Sequence, residues 1–277
     1  MQGIHCSKGA SRPGALFRFC NLFIAGWLLT SLSAPASADG CPARNSSEQV
    51  EVVHVYDGDT VKLKDGRRLR LIGINTPENS REEQPEQPFA REATAALRSL
   101  VERHNRRLRL QYGKQHRDHY GRLLAHAFLQ DGSNVAVRLL QRGLATTLVV
   151  PPNSWAADCY QRIEDQARAA RLGIWALPGY QSIASSRLHP DDRGFRIVHG
   201  RVEDFRQARH SIWLQLDGPL AIRISRKDLV NFPQGYLDGL RGQTVELRGW
   251  LKADNDKLRV TVRHPAALVR ISNAIPE

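Results

Sequence analysis

Between Val55 and Glu78 the chain reads VYDGDTVKLKDGRRLRLIGINTPE, and the residue types gathered there suit one kind of chemistry. The carboxylates of the acidic turn, Asp57 and Asp59, offer oxygen ligands for a hard metal ion. Glu78 offers a carboxylate able to act as a base, and Arg70 a cation for a phosphate oxygen. Phosphodiester hydrolysis needs those three parts. Taken alone, Asp57 and Asp59 would read as ordinary turn formers, because Asp-Gly sequences favour turns.

The elements that must position these groups follow from periodicity. Val61 and Leu63 alternate with polar residues, as do Leu69 and Leu71 after a Lys64-Asp65-Gly66-Arg67 turn. An Asp-Gly pair between alternating apolar runs signals a hairpin, which returns both ends of the stretch to one place. Strict alternation puts Arg70 and Asn75 on opposite faces, so they meet only if the strand bends before the NTPE loop. Around the hairpin, Gln49 to Val55 reads as a first strand and residues 79–88 as an exposed loop. Phe89 to Val101 has helical spacing, Arg106 to Tyr112 and Arg122 to Leu129 alternate as strands, and Gly113 to Gly121 reads as a basic loop between them. Asn134 is placed to cap a helix over 135–142, with Gly143 past its end. A last helix is expected over 154–172, with Ile174-Trp175 plugging back onto the core. Five strands with three helices predict a mainly β domain with some α, an oligonucleotide-binding-type barrel over residues 49–175.

Residues 176–193 lack periodicity and concentrate Pro, Ser, Gly and Asp, the composition of a linker. Residues 194–277 carry five strand-like runs and a candidate helix near 226–240, which predicts a second, small β-rich barrel. Its arginines suit either a substrate-holding module or a packing and partner domain. The formal charge of +12 favours a polyanionic partner, most often nucleic acid. At the other end, Lys8, Arg12 and Arg18 precede an apolar run and Ala36-Ser37-Ala38, the pattern of a signal peptide over residues 1–38. Cleavage there implies a secreted or periplasmic protein without stable membrane anchoring, and residues 39–48 then form a lead-in. It also leaves two cysteines, Cys41 and Cys159, either disulfide-bonded to each other or both free thiols. No protein partner is legible.

Residues 50–175 resemble the staphylococcal (micrococcal) nuclease, or thermonuclease-like, family. The resemblance rests on YDGDTVKL (56–63), LRLIGINTPE (69–78), DHYGRLLAHAF (118–128), VRLLQRGLA (137–145) and LGIW (172–175). It implies catalytic roles for Arg70, Glu78 and Arg122, and metal positions at Asp59, Asn75 and Thr76 with Asp57 close by. It also implies phosphate-holding roles for His119 and Tyr120. The implied activity is metal-dependent cleavage of DNA and/or RNA, with Glu78 as general base, leaving 3′-phosphate ends. Two departures stand out. Asn75 replaces the aspartate of the best-studied members, so Ca2+ is the expected ion but Mg2+ or Mn2+ becomes admissible. Leu148-Val149-Val150-Pro151 replaces a tyrosine-bearing segment that stacks on bases. The rival reading is a nucleic-acid-binding protein that keeps the fold without cleaving.

Overall fold

A computed structural model describes residues 40–45, 48–80, 85–255 and 257–271. The expected signal peptide, residues 1–38, lies outside the described residues. Among the described residues, no helix is long and apolar enough to cross a membrane.

The first half builds β1 (Glu48–Val55), β2 (Thr60–Leu63), β3 (Arg68–Leu71), β4 (Gly73–Asn75), α1 (Ala90–Arg103), β5 (Arg107–Arg117), β6 (Leu123–Phe128), α2 (Val135–Gln141), β7 (Thr146–Leu148) and α3 (Ala157–Ala169). Strands β1-β2-β3-β6-β5 close into a barrel, with β3 and β6 the one parallel neighbour pair in the ring. The alternating residues of the hairpin point inward: Val61, Leu63, Leu69 and Leu71 are all buried. Asn134 caps α2 as its sequence predicts, accepting from the amides of Ala136 and Val137. The segment expected as a loop after Tyr112 instead continues β5 to Arg117, because its last residue still pairs with Leu123 of β6 across a register shift. A disulfide joins Cys41 to Cys159, so the lead-in is fastened to α3.

The second half adds β8 (Ser182–Ala184), β9 (Gly194–Gln207), β10 (Ser211–Leu216), β11 (Leu220–Ser225), β12 (Thr244–Asp254), β13 (Lys257–Thr261) and β14 (Leu268–Arg270). Here β9-β10-β11-β13-β12 closes through the β12–β9 pairing, again with its third and last strands, β11 and β13, parallel. The two barrels therefore share one connectivity, the order of an oligonucleotide-binding barrel, although their sequences show no repeat. Where the first barrel inserts α1 between its third and fourth strands, the second inserts 3-10 turns at Arg226–Asn231 and Asp238–Leu240 in place of the expected helix. Lacking a periodic apolar stripe, that stretch cannot bury one face of a regular helix.

Residues 176–193 are not a free tether. They carry 3-10 turns and β8, which pairs in parallel with β9, and Ser185 and Leu188 are buried. Short 3-10 turns have no 3.6-residue period, so composition was the one signal available and it pointed to a linker. The Ile174-Trp175 plug is buried, but in a cluster with Ala167 and Ile197, between the barrels rather than inside the first core. Beside it lies a network of charges. Arg168 of α3 holds Glu246 of β12 through two bonds, 2.6 and 2.8 Å, and Arg248 reaches Glu164 at 2.7 Å. At Glu246 burial raises the pKa, but the bonds and charges of Arg168 and Arg248 outweigh it and hold the carboxyl below its usual range. At Glu164 burial prevails over Arg248 and Thr147, and the pKa is raised.

Candidate active site

The site is assembled where the hairpin closes. Asp57-Gly58-Asp59 turns at the end of β1 against α1 and the NTPE loop. A side chain at Gly58 would lie 2.7 Å from Ala93 Cβ and 2.8 Å from Thr76, so the two pieces of backbone approach only because that residue is glycine. The bend demanded by Arg70 and Asn75 falls at Ile72-Gly73, between β3 and β4, with Gly73 at φ +87°. Past it the two side chains meet: Arg70 donates to Asn75 Oδ1 at 3.1 Å.

Arg70 is the hinge of the whole arrangement. Its guanidinium pairs with Asp59 at 3.0 Å and donates to the carbonyls of Ile74, at 3.0 Å, and Leu71. Asp59 also accepts from the Thr76 amide at 2.9 Å, the Thr76 hydroxyl at 3.1 Å and the Thr60 hydroxyl at 3.1 Å. Asp57, equally buried, accepts from the Asp59 amide. The Asp59 carboxyl is pushed up to about 6: burial is the largest cause, Arg70 opposes it, and the charges of Asp57 and Glu78 add to it. Glu78 is fixed through its backbone, whose N–H donates to Gln87 Oε1 at 3.0 Å, and the adjacent Asn79 side chain is bonded to the Tyr56 carbonyl and Thr94 hydroxyl.

This donor set fits a hard cation. Asp59 feels the charges of two further carboxylates, Asp57 and Glu78, against one arginine, and Asp57, Asp59, the Asn75 amide oxygen and the Thr76 carbonyl offer oxygen, the ligand type such ions prefer. Among the described residues, no group of three or more His, Cys, Asp or Glu by itself has the geometry to hold a metal, so any ion would depend on the amide and carbonyl oxygens as well.

Arg122 stands just before β6, whose Leu124 pairs in parallel with Arg70. Asp118 orients it: Nε donates to one carboxylate oxygen at 2.7 Å, and the Arg122 and Tyr120 amides donate to the other. The bonds and charge of Arg122 offset burial and hold Asp118 below the usual carboxylate range. Arg70, His119 and Arg122 line one cleft of about 410 Å3, walled by Leu148, Val150 and Pro151. Tyr120 is 73% exposed, stacked on His119 and under the Arg122 guanidinium, outside the cleft lining. Asp57, Asp59, Asn75, Thr76 and Glu78 are not among the residues lining this cleft; Asp59 and Asn75 are joined to it through their contacts with Arg70. Asp118 escaped sequence reasoning as an orienting group, though its spacing four residues before Arg122 was in view. Arg263, which lines the same cleft from the second barrel, had no local signal at all.

The chain is similar to proteins of one known family. The family model for "Staphylococcal nuclease homologue" matches residues 68–177. The chain is 36% identical to a thermonuclease of Staphylococcus intermedius over 149 residues, covering 50% of this chain and 85% of that protein. It is 36% identical to a thermonuclease of Staphylococcus hyicus, covering 48% of this chain and 79% of the relative. It is also 34% identical to endonuclease YncB of Bacillus subtilis, covering 49% and 68%.

Proposed function

The chain belongs to the staphylococcal nuclease family and is a nuclease hydrolysing phosphodiester bonds, and from that premise we propose how its own residues do so. It is an exported, sequence-tolerant endonuclease acting on DNA and/or RNA, dependent on a divalent cation. Export is supported by the Cys41–Cys159 disulfide, which persists in oxidising compartments.

One observation carries the mechanism: Arg70, on β3, and Arg122, just before the neighbouring β6, line a single cleft. Attack on a phosphodiester builds negative charge on the equatorial oxygens, and two guanidiniums can meet that charge bidentately where lysines would act as point charges. Asp118 keeps Arg122 aimed, so little reorganisation is needed when charge develops. Glu78 orients and deprotonates the attacking water, a contribution of roughly 10²–10⁴ in rate. His119 and Tyr120 steady the neighbouring phosphate, and departure of the 5′ oxygen leaves a 3′-phosphate end. Asp57, Asp59, Asn75 and Thr76 would hold the cation. When bound, it supplies Lewis-acid polarisation of the phosphate and neutralises the acidic pocket. Asn75 brings no charge, so the site is less selective than an all-carboxylate one: Ca2+ is the expected ion, with Mg2+ and Mn2+ admissible.

The test uses purified mature protein with single-stranded DNA, duplex DNA and RNA, in Ca2+, in Mg2+ and in chelator. Cleavage is expected to need a divalent ion and to be lost in Glu78→Gln and Arg122→Ala. Normal cleavage by both variants, or none by the wild type in any ion, overturns the mechanism.

A further inference from the structure

The catalytic cleft does not end at the first barrel. Leu148 and Val150, on its rim, also line, with Val149, a second cleft of about 380 Å3, whose remaining walls come from the second barrel, and Arg263 lines both. Arg223, Lys252 and Arg259 line this second cleft, and among the described residues its lining includes no acidic side chain. Their placement follows from register. Lys252 sits opposite Arg259 across β12 and β13, and Arg223 sits opposite Thr261 across β11 and β13. Because side chains alternate along a strand, Leu258 and Val260 enter the core while Arg259 and Thr261 turn outward. The cations are thus displayed on one outer face of the barrel. Arg263 is aimed by buried Asp228, 3.2 Å from its Nε.

Trp250 completes the surface. It lines the same cleft, is 44% exposed, and is braced edge-on by Phe195 with ring centroids 5.1 Å apart. An exposed indole beside cations has the chemistry of a platform on which an unstacked base can rest. The ion pairs from Arg168 to Glu246 and from Arg248 to Glu164 lock β12, the strand carrying Trp250 and Lys252, against α3 of the nuclease barrel. The two clefts are therefore held in fixed register.

We propose that the outer face of the second barrel, Arg223, Lys252, Arg259 and Arg263 with Trp250 as stacking platform, is an extended subsite for single-stranded polynucleotide, continuous with the catalytic cleft. The proposal rests on the reading of the Arg70–Arg122 cleft as the cleavage site. A single strand is the occupant because stacking on Trp250 requires a base released from its duplex partner, while the cations follow the phosphates. It also supplies the aromatic contact that Leu148-Val149-Val150-Pro151 does not.

The full mature chain is tested in two ways: anisotropy of labelled dT20 in chelator, where nothing is cut, and kcat/KM on dT20 against dT3. Trp250→Ala is expected to weaken dT20 binding about tenfold, and Trp250→Phe to retain most of it. The loss of kcat/KM on dT20 exceeds that on dT3 by a similar factor. The double variant Arg223→Ala/Lys252→Ala lowers the slope of log affinity against log salt by about 1.4, roughly 0.7 for each phosphate contact removed. Equal losses on dT20 and dT3, unchanged dT20 binding, a phenylalanine variant as weak as alanine, or a 20-base-pair duplex bound as tightly as dT20 each overturn the proposal. Absence of cleavage with intact, Trp250-dependent dT20 binding would instead overturn the catalytic reading and leave the subsite standing.

Discussion

Arg248→Met removes the counter-ion of a carboxylate held wholly inside the protein. Glu164 is 0% exposed, 2.7 Å from Arg248 and bonded to the Thr147 hydroxyl. Methionine keeps much of the packing volume, so the change isolates the charge. Stranding a buried ion costs about 3–5 kcal/mol. For a protein of this size that lowers the melting temperature by about 6–20 °C, taking ~2–4 °C per kcal/mol. The loss also depends on pH. Burial already raises the Glu164 pKa, with Arg248 drawing it part of the way back, so the variant's carboxyl titrates higher still. A carboxyl whose folded pKa exceeds its unfolded value takes up its proton preferentially in the folded state. The deficit is therefore full above the folded pKa and shrinks as pH falls toward the ordinary carboxylate value. Thermal melts of wild type and Arg248→Met at about pH 5 and about pH 8 measure both effects. Adding Glu164→Gln removes the stranded charge and recovers more than half of the loss. A melting point within about 2 °C of wild type, or the same deficit at both pH values, refutes the account of Glu164 as a buried anion neutralised across the barrel interface.

Two further outcomes follow from single side chains. Burial depresses the His126 pKa to about 3, so this imidazole stays neutral in the fold while the unfolded chain protonates near 6.5. Its penalty is absent above that pH and grows as pH falls toward 3. At about pH 4.5, urea unfolding of His126→Gln shows about 2–3 kcal/mol less acid-induced loss than wild type, and equal acid sensitivity would contradict this. Gly73→Ala places a methyl 2.5 Å from Tyr160 Cε2 at a φ of +87°. It is expected to cost about 2–5 kcal/mol and to depress cleavage more than binding, because the bend that brings Asn75 to Arg70 is disturbed. Near-normal stability and rate would mean the backbone there relaxes freely.

What the sequence by itself determined is what alternation and turn chemistry can encode. The hairpin from Thr60 to Leu71, the Asn134 cap and the outer strands of both barrels lie where periodicity put them, because each is decided by neighbours within a few residues. The motifs around Arg70, Glu78 and Arg122 likewise carried the family. Even the need for a bend before Asn75 was legible, as a contradiction between strand parity and a shared site, though its place at Gly73 was not. Tertiary structure alone decided the rest. Arg263 reaches the cleft from 141 residues beyond Arg122 (263 − 122), and nothing near it in the chain distinguishes it from any surface arginine. Glu164, a charged residue that nothing in the sequence singled out, is buried where β12 brings Arg248 against it. Periodicity reports which side of an element faces its own core. It is silent on which outward face a second domain will cover, since that depends on the closure of two barrels whose strands are distant in sequence.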